Sequence, residues 1–414
     1  MATRANRRVT YQESIDWLFS TQLFGIKLGL DGPKRLLKEY LAFPDYGVKV
    51  IHIAGTNGKG STCAMIDSLA RSTGSRTGLF TSPHLIDFRE RIRVSGVDIP
   101  EEECAAMLTE LRAICTGLDP HPTFFEITLV LAMRWFRERA CDLIVLETGM
   151  GGRLDATTAV PADVCGITPI GLDHMQWLGD TVEKIAWEKA GILVEGKPAI
   201  SAPQQPSVMK VLEKEANACR SPLSFITGPL MGYPIALPGP HQRWNAALAV
   251  ECLHAAGVHL DYGVIQHGLS VVRWPGRFER FTYLGKEIIL DGAHNPQGAA
   301  VLAETWREEF RNQKATLLFS AVAAKDVSGI LEVLCPLAGS IHLCPVDTPR
   351  ALPPEELAAA LPEGAPPHLC HPTLDEALKA ALEGEGPLLI AGSLFLVGEA
   401  KAALQGGTFQ SSTQ

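Results

Sequence analysis

Val48-Lys-Val-Ile-His-Ile-Ala54 runs straight into Gly55-Thr-Asn-Gly-Lys-Gly-Ser61, and Thr62 to Arg71 follow with a helical pattern. A β-branched apolar run of this kind reads as a buried strand, and the glycines after it as a loop that opens a helix. Glycines let backbone N–H groups turn toward a phosphate, the helix N-terminus adds positive dipole, and Lys59 can bridge the outer phosphates of a nucleotide. A hydroxyl after the lysine, here Ser61, can reach a magnesium ion. Gly60 separates Lys59 from Ser61, which departs from the usual Walker A spacing. The bland alternative is a tight glycine turn carrying a solvated lysine, and the flanking strand and helix weigh against it. The predicted nucleotide loop is Gly55, Thr56, Asn57, Gly58, Lys59, Gly60 and Ser61.

Outward from this loop, short apolar runs and longer helical patterns keep alternating, the signature of a parallel sheet with helices on its faces. Strands are predicted over 76–81, 142–147 and 163–168, and helices over 123–139 and 181–190. Helices over 242–256 and 264–271 lead to Trp274-Pro-Gly-Arg277, whose Pro-Gly pair is the best hinge in the sequence. The rhythm then restarts, with strands predicted over 287–290, 317–321, 340–343 and 388–391. The expected fold is α/β. A large N-terminal P-loop domain with a mostly parallel sheet covers 1–275, a smaller C-terminal Rossmann-like α/β domain covers 276–405, and 406–414 form a frayed polar tail.

Composition bounds the partners. The 414 residues suffice for about two or three domains. Thirty-seven Lys and Arg against 46 Asp and Glu leave a net charge of −9 with no basic block, which argues against nucleic-acid or anionic-membrane binding. Ten cysteines stand singly, without paired metal spacing, so neither a disulfide framework nor a zinc site is expected and a cytoplasmic setting fits. The basic N-terminus has no apolar run behind it, and the longest apolar stretch, Leu388 to Val397, is interrupted by Gly392 and Ser393.

Further candidates sit just beyond predicted strands, where ligands collect in parallel α/β sheets. Glu147 ends an apolar strand and is placed for a metal, or equally caps the turn that follows. Ser82 lies in Thr81-Ser-Pro-His-Leu85, a motif that on its own is only a loop. His174, in Gly171-Leu-Asp-His-Met-Gln-Trp-Leu-Gly179, is a structural histidine or a ligand to a divalent ion. Lys189 closes a helix, where the dipole favours any cation. Asp291-Gly-Ala-His-Asn-Pro296 opens a helix at the start of the second domain and faces the nucleotide across the hinge, or Asp291 forms a turn and Asn295 a cap.

Taken together these stretches resemble the folylpolyglutamate synthase and bifunctional dihydrofolate synthase/folylpolyglutamate synthase family, within the Mur ligase superfamily. The resemblance runs from Phe24-Gly-Ile-Lys-Leu-Gly-Leu30 to Gly392-Ser-Leu-Phe-Leu-Val-Gly398. Its most specific stretches are His52 to Ser61, Thr81 to Leu85, Glu147-Thr-Gly-Met-Gly-Gly-Arg153, Gly171 to Ile192, Pro240-His-Gln-Arg-Trp-Asn-Ala-Ala247, Pro275-Gly-Arg-Phe-Glu279 and Asp291 to Pro296.

The resemblance implies an ATP-dependent ligase that joins L-glutamate to tetrahydrofolate or dihydropteroate through an acyl phosphate, acting as a monomer on small molecules. It implies that Lys59 and Ser61 serve the phosphates and a first magnesium, with Ser82 and Glu147 completing that site. A second magnesium would be held by Glu147, His174 and a carbamylated Lys189. Asn245, Arg277 and Asp291 correspond to nucleotide contacts, and His294 and Ser393 to the incoming glutamate. Thr158 stands where many relatives have Asn, and Ala323-Ala-Lys-Asp326 keeps only the Lys-Asp part of a second-domain motif; neither is expected to touch the chemistry. The rivals are another Mur-type ligase acting on a cell-wall precursor, and a nucleotide-driven switch that needs no second α/β domain.

Overall fold

The computed structural model describes residues 9–25, 29–42 and 47–411. β1 (Lys49–Ala54), β2 (Thr77–Phe80), β3 (Ile92–Val94), β4 (Val97–Asp98), β5 (Leu143–Glu147), β6 (Val164–Ile167), β7 (Ala199–Ser201) and β8 (Leu223–Phe225) make one sheet, in the order β4-β3-β2-β5-β1-β6-β7-β8. From β2 to β8 it is parallel, and β3 and β4 add an antiparallel edge. β5 is buried throughout and β1 at all but Lys49, because helices cover both faces and such strands must be apolar on both sides. Phe80, Phe88, Phe136 and Leu146 fill one face; Ile51, Met65, Val145 and Leu248 fill the other. Each such fully buried side chain contributes roughly 2 kcal/mol of transfer free energy.

β9 (Glu279–Tyr283), β10 (Lys286–Asp291), β11 (Ala315–Phe319), β12 (Ala338–Leu343), β13 (His368–Cys370) and β14 (Leu388–Ala391) make a second sheet, ordered β13-β12-β11-β14-β10-β9. Only the β9–β10 pair is antiparallel. Behind it Trp306 stacks on Phe310 with ring centroids 4.3 Å apart, and Phe278, just after the Pro-Gly turn, meets both rings.

The parallel register has one consequence for function. The segments leaving β1, β2, β5 and β6 all emerge at the same edge of the first sheet, so Gly55–Ser61, Ser82, Glu147–Arg153 and Pro169–His174 become neighbours. β10 and β14 likewise deliver Asp291–Pro296 and Ser393 from the second sheet.

Two expectations change. Residues 406–411 of the tail are not frayed: Gln410 donates its amide to Ile86 O (2.9 Å) and accepts from His84 Nε2 (2.8 Å). A polar segment stays down when folded groups satisfy its backbone. Helices Tyr11–Ser20, Asp31–Glu39, Glu101–Cys115 and Pro206–Cys219, together with β3, β4, β7, β8, β9 and β13, also lie outside the elements predicted from sequence. Residues 26–28 of the family-like stretch and 412–414 of the tail fall outside the described residues. Among the described residues no helix is long and apolar enough to cross a membrane.

Candidate active site

A cavity of about 610 Å³ lies between the carboxyl edges of the two sheets, lined by the glycine loop, Ser82, Glu147, His174, Lys189, Asn245, Arg277, Asp291, His294 and Ser393. Every residue predicted from sequence for nucleotide, metal or glutamate therefore faces one space.

The floor is the glycine loop. Gly58 caps the helix Lys59–Ser72, so the amides of its first turn have no partner within the helix and offer themselves to an anion. Thr56 and Asn57 differ from expectation: their amides are committed to Pro169 O, at 3.0 and 3.3 Å. That anchoring, with Thr56 Oγ1 bridging to Gly171 O (3.1 Å), fixes the loop to the segment after β6. The Asn57 side chain instead crosses the cavity, donating to Gln297 Oε1 (3.0 Å) and accepting from Asn295 Nδ2 (3.1 Å). Gly60, the residue that breaks the Walker A spacing, has a packing cause. A Cβ there would lie 2.6 Å from the indole nitrogen of Trp274, so only glycine lets the hinge segment close on the loop.

Beside the loop, Glu147 is 5% exposed and accepts the Ser82 amide at 3.1 Å. Burial raises its pKa, while Lys59, the Ser82 amide, Arg277 and Arg91 draw it back toward the carboxylate. Ser82 Oγ is buried with no hydrogen-bond partner among the described residues, which leaves it available to a ligand in the cavity it lines. Among the described residues no group of three His, Cys, Asp or Glu is placed to hold a metal alone. One carboxylate with a serine hydroxyl suits magnesium, which takes its remaining oxygens from phosphate and water.

Lys189 is 5% exposed and donates to Gly55 O at 2.7 Å. Burial, then the neighbouring Lys59, push its pKa down to about 7. His174 caps the short helix Met175–Leu178 in a left-handed conformation (φ 51°), with its imidazole turned partly to the open cavity.

The opposite wall is built mainly by segments of the second sheet, with Asp173 and Asn245 added from the first half. Asp291 uses both carboxylate oxygens on backbone amides, Oδ2 on Phe278 N (2.9 Å) and Oδ1 on Ala293 N (2.8 Å). It thereby ties the hinge segment carrying Arg277 to the loop carrying His294. Asn245 is buried and donates to Gln242 Oε1 (2.9 Å). Ser393 is the N-cap of the helix Leu394–Gln405 and accepts from Phe395 N (3.2 Å).

Three residues of this wall escape sequence reasoning. Asp173, with 9% of its side chain exposed, pairs with Lys325, lies 3.4 Å from His294 Nε2 and accepts from Asn295 Nδ2 (3.3 Å). Burial alone would raise its pKa; the His294 contact and the charge of Lys325 hold it well below the usual carboxylate range. Lys325, in the motif expected to stand apart from the chemistry, thus reaches into the cavity. Arg350 lines the same side, its guanidinium 5.8 Å from the Phe395 ring centroid. The isolated Lys-Asp dipeptide is the only sequence signal for Lys325, and nothing local marks Arg350.

A glycine loop at a helix N-terminus facing a second α/β unit across one cavity is the arrangement of a Mur-type ligase. Residues 53–225 match the Mur ligase middle domain, and residues 276–394 match the Mur ligase glutamate ligase domain. The chain is 36% identical over 373 residues to a dihydrofolate synthase/folylpolyglutamate synthase of Bacillus subtilis, covering 82% of this chain and 86% of the relative. Escherichia coli FolC, solved in complex with DHPP and ADP, superposes with a TM-score of 0.86 at 29% identity, over 95% of this chain and 98% of that one. A bifunctional folylpolyglutamate synthase/dihydrofolate synthase with Mn, AMPPNP and L-glutamate bound gives 0.83 at 29% identity, over 95% and 98%. The chain belongs to the folylpolyglutamate synthase/dihydrofolate synthase family of Mur ligases.

Proposed function

We propose that this protein joins L-glutamate to the carboxylate of a reduced folate, and to dihydropteroate, at the expense of ATP. The observation that carries the reading is the single cavity with a phosphate-binding floor and a wall bearing Lys325, Arg350, His294 and Ser393. Glutamate brings two carboxylates, and paired cations on the wall opposite the nucleotide suit them. The relatives solved with DHPP, with adenine nucleotides and with L-glutamate support the same three ligands.

The folate carboxylate attacks the γ-phosphate of ATP; an acyl phosphate forms and ADP leaves. The free α-amine of glutamate then attacks the acyl carbon, the new amide bond forms, and inorganic phosphate departs. Carboxylates are poor electrophiles, so the phosphoryl group is what makes the second step possible. Lys59 and the first-turn amides neutralise and hold the phosphates in line, and Arg277 adds charge from the hinge. Contacts between Asn57 and Asn295 and between Asp173 and Lys325 close the two halves and keep water from the acyl phosphate.

Ser61, Ser82 and Glu147 would hold one magnesium, and Glu147, His174 and Lys189 a second; these ions would offset charge on the transferring phosphoryl group. The Lys189 ammonium as it stands repels a cation. Its Nζ lone pair can attack CO2 with loss of a proton, giving a carbamate whose oxygens suit a hard ion. A pKa lowered to about 7 leaves a share of the amine in the reactive form.

Purified protein incubated with ATP, magnesium and glutamate releases ADP only when dihydropteroate or tetrahydrofolate is added, and parallel assays with each acceptor show whether one site serves both. ADP release independent of acceptor and glutamate would instead identify a nucleotide-driven switch.

A further inference from the structure

We propose that residues 409–411, which follow the last helix, act as a strap by which the C-terminal domain positions the Ser82 loop of the N-terminal domain. The proposal rests on the reading of Ser82 as a magnesium donor.

The strap contacts the loop through several hydrogen bonds around one residue. Gln410 N donates to Ile86 O (2.9 Å), Gln410 Oε1 accepts from Phe88 N (2.8 Å), and Gln410 O accepts from His84 Nε2 (2.8 Å). His84 can play only one part here. Its Nδ1 faces the Arg91 Nε–H at 2.8 Å, and a guanidinium has no acceptor, so Nδ1 accepts and the ring proton sits on Nε2, aimed at Gln410. The imidazole is wedged edge-on between Phe19 and Phe88, at 6.3 and 6.4 Å between ring centroids.

The other end of the strap is fixed to the C-terminal domain. Ser411 Oγ donates to Asp347 O (3.1 Å). Phe409 lies over Gly398 of the helix Leu394–Gln405, where a Cβ would come within 2.7 Å of its ring and clash with Leu85 O. Leu85 itself is 7% exposed and packs among Leu396, Val397 and Leu290, inside the core of the other domain. The loop carrying Ser82 is therefore gripped between that helix and the strap, although its chain belongs to the first sheet. The same helix starts at Ser393, so the amino-acid end of the cavity and the Ser82 end are joined by one element plus the strap. Gln410 does not line the cavity and acts through the loop it holds, which makes it a positioning residue.

The test measures Mn2+ affinity by paramagnetic resonance in the presence of a non-hydrolysable ATP analogue, alongside amide hydrogen exchange over residues 82–88. Three strap variants are compared: Gln410→Ala, Gln410→Glu, which keeps an acceptor for Phe88 N, and a chain ending at Gly406. Losing an outer partner of a metal ligand costs on the order of tenfold in affinity, so the shortened chain should weaken Mn2+ by about that factor. Gln410→Ala should give a smaller loss that Gln410→Glu largely restores. Exchange across 82–88 should accelerate, while nucleotide affinity without metal stays unchanged. Ser82→Ala separates the two readings. If Ser82→Ala weakens Mn2+ and the strap variants do not, the strap is wrong and the metal site stands. If Ser82→Ala leaves Mn2+ affinity intact, the metal reading fails and the strap proposal falls with it. Should the shortened chain not fold, the two Gln410 variants decide between these outcomes by themselves.

Discussion

The two faces of the cavity hold charge by different means. On the floor, the groups proposed to meet phosphate are main-chain amides of Gly58 to Ser61 and Lys59, all within one strand–loop–helix unit. On the wall, Asp173, His294, Lys325 and Arg350 come from four separate segments and two sheets, and line one cavity through tertiary contacts alone. A floor of backbone atoms tolerates change in most side chains but not in its geometry. A wall of side chains is assembled contact by contact, and each member can be removed alone.

The sharpest way to break that contrast is Lys59→Ala, the only charged side chain in the glycine loop. Turnover should fall by at least about a thousandfold, roughly 4 kcal/mol of transition-state stabilisation, while the thermal midpoint moves little. Acceptor-dependent ADP release and a melting curve on the same preparation decide it. Normal ligation would mean that the amides suffice and that the nucleotide reading of the lysine is wrong.

Lys189→Ala comes next, since Lys189 stands where floor meets wall. The variant should lose nearly all activity, and millimolar acetate should return part of it by supplying the missing carboxylate. A carbamate signal from 13C-bicarbonate, present in the parent and absent in the variant, checks the same claim without turnover. An active variant in acetate-free buffer would remove the carbamate.

This ranking follows what is legible in the sequence. The floor is legible because glycines, lysine and hydroxyl lie together between an apolar run and a helical one, so spacing alone defines the chemistry. Even there, the Thr56 and Asn57 amides depart from what spacing suggests, because their acceptor, Pro169 O, arrives from a distant loop. Glu147 and Ser82 are visible only as strand-end residues, and their 3.1 Å contact is a product of β2 and β5 lying side by side. The wall is mostly illegible. Arg350 has no neighbours in sequence that mark it, and the partner of Lys325 lies 152 residues away. The helix Tyr11–Ser20 is a different case: its signal is local, a capping box formed by Thr10 and Glu13, yet it is faint beside the apolar alternation that dominates the chain. The grip on residue 410 is again tertiary, which is why a polar tail looks free in sequence.

Single wall residues give the intermediate effects. Lys325→Ala and Arg350→Ala should each raise the KM for glutamate by about 10- to 100-fold, the range expected for losing one charge-assisted contact, with the KM for ATP nearly unchanged. Lys325→Ala should be the more severe, because it also leaves Asp173 without its ammonium partner at 9% exposure. Steady-state kinetics with each substrate varied in turn separates the two faces. A parallel rise in the ATP constant would show that Lys325 acts through domain closure rather than through the amino acid.

The smallest expected effect sits behind the wall. Glu399, on the helix that starts at Ser393, accepts the Asp347 amide at 2.8 Å, and burial followed by the Asp347 charge raises its pKa to about 7. A carboxyl whose pKa is raised on folding holds its proton more tightly in the native state. Its ionisation therefore costs stability as pH climbs from the unfolded value of 4.5 through 7, and the cost is complete above that. Glu399→Gln keeps the acceptor and removes the ionisation. The variant should melt with the parent at pH 5 and about a degree or two higher at pH 8, since the group is partly exposed and solvent screens much of the penalty. The gain should leave Lys59-dependent turnover untouched, because Glu399 does not line the cavity. Equal melting of variant and parent across that range would mean that Glu399 ionises without penalty, with water reaching the rear of the wall as freely as it reaches the open surface.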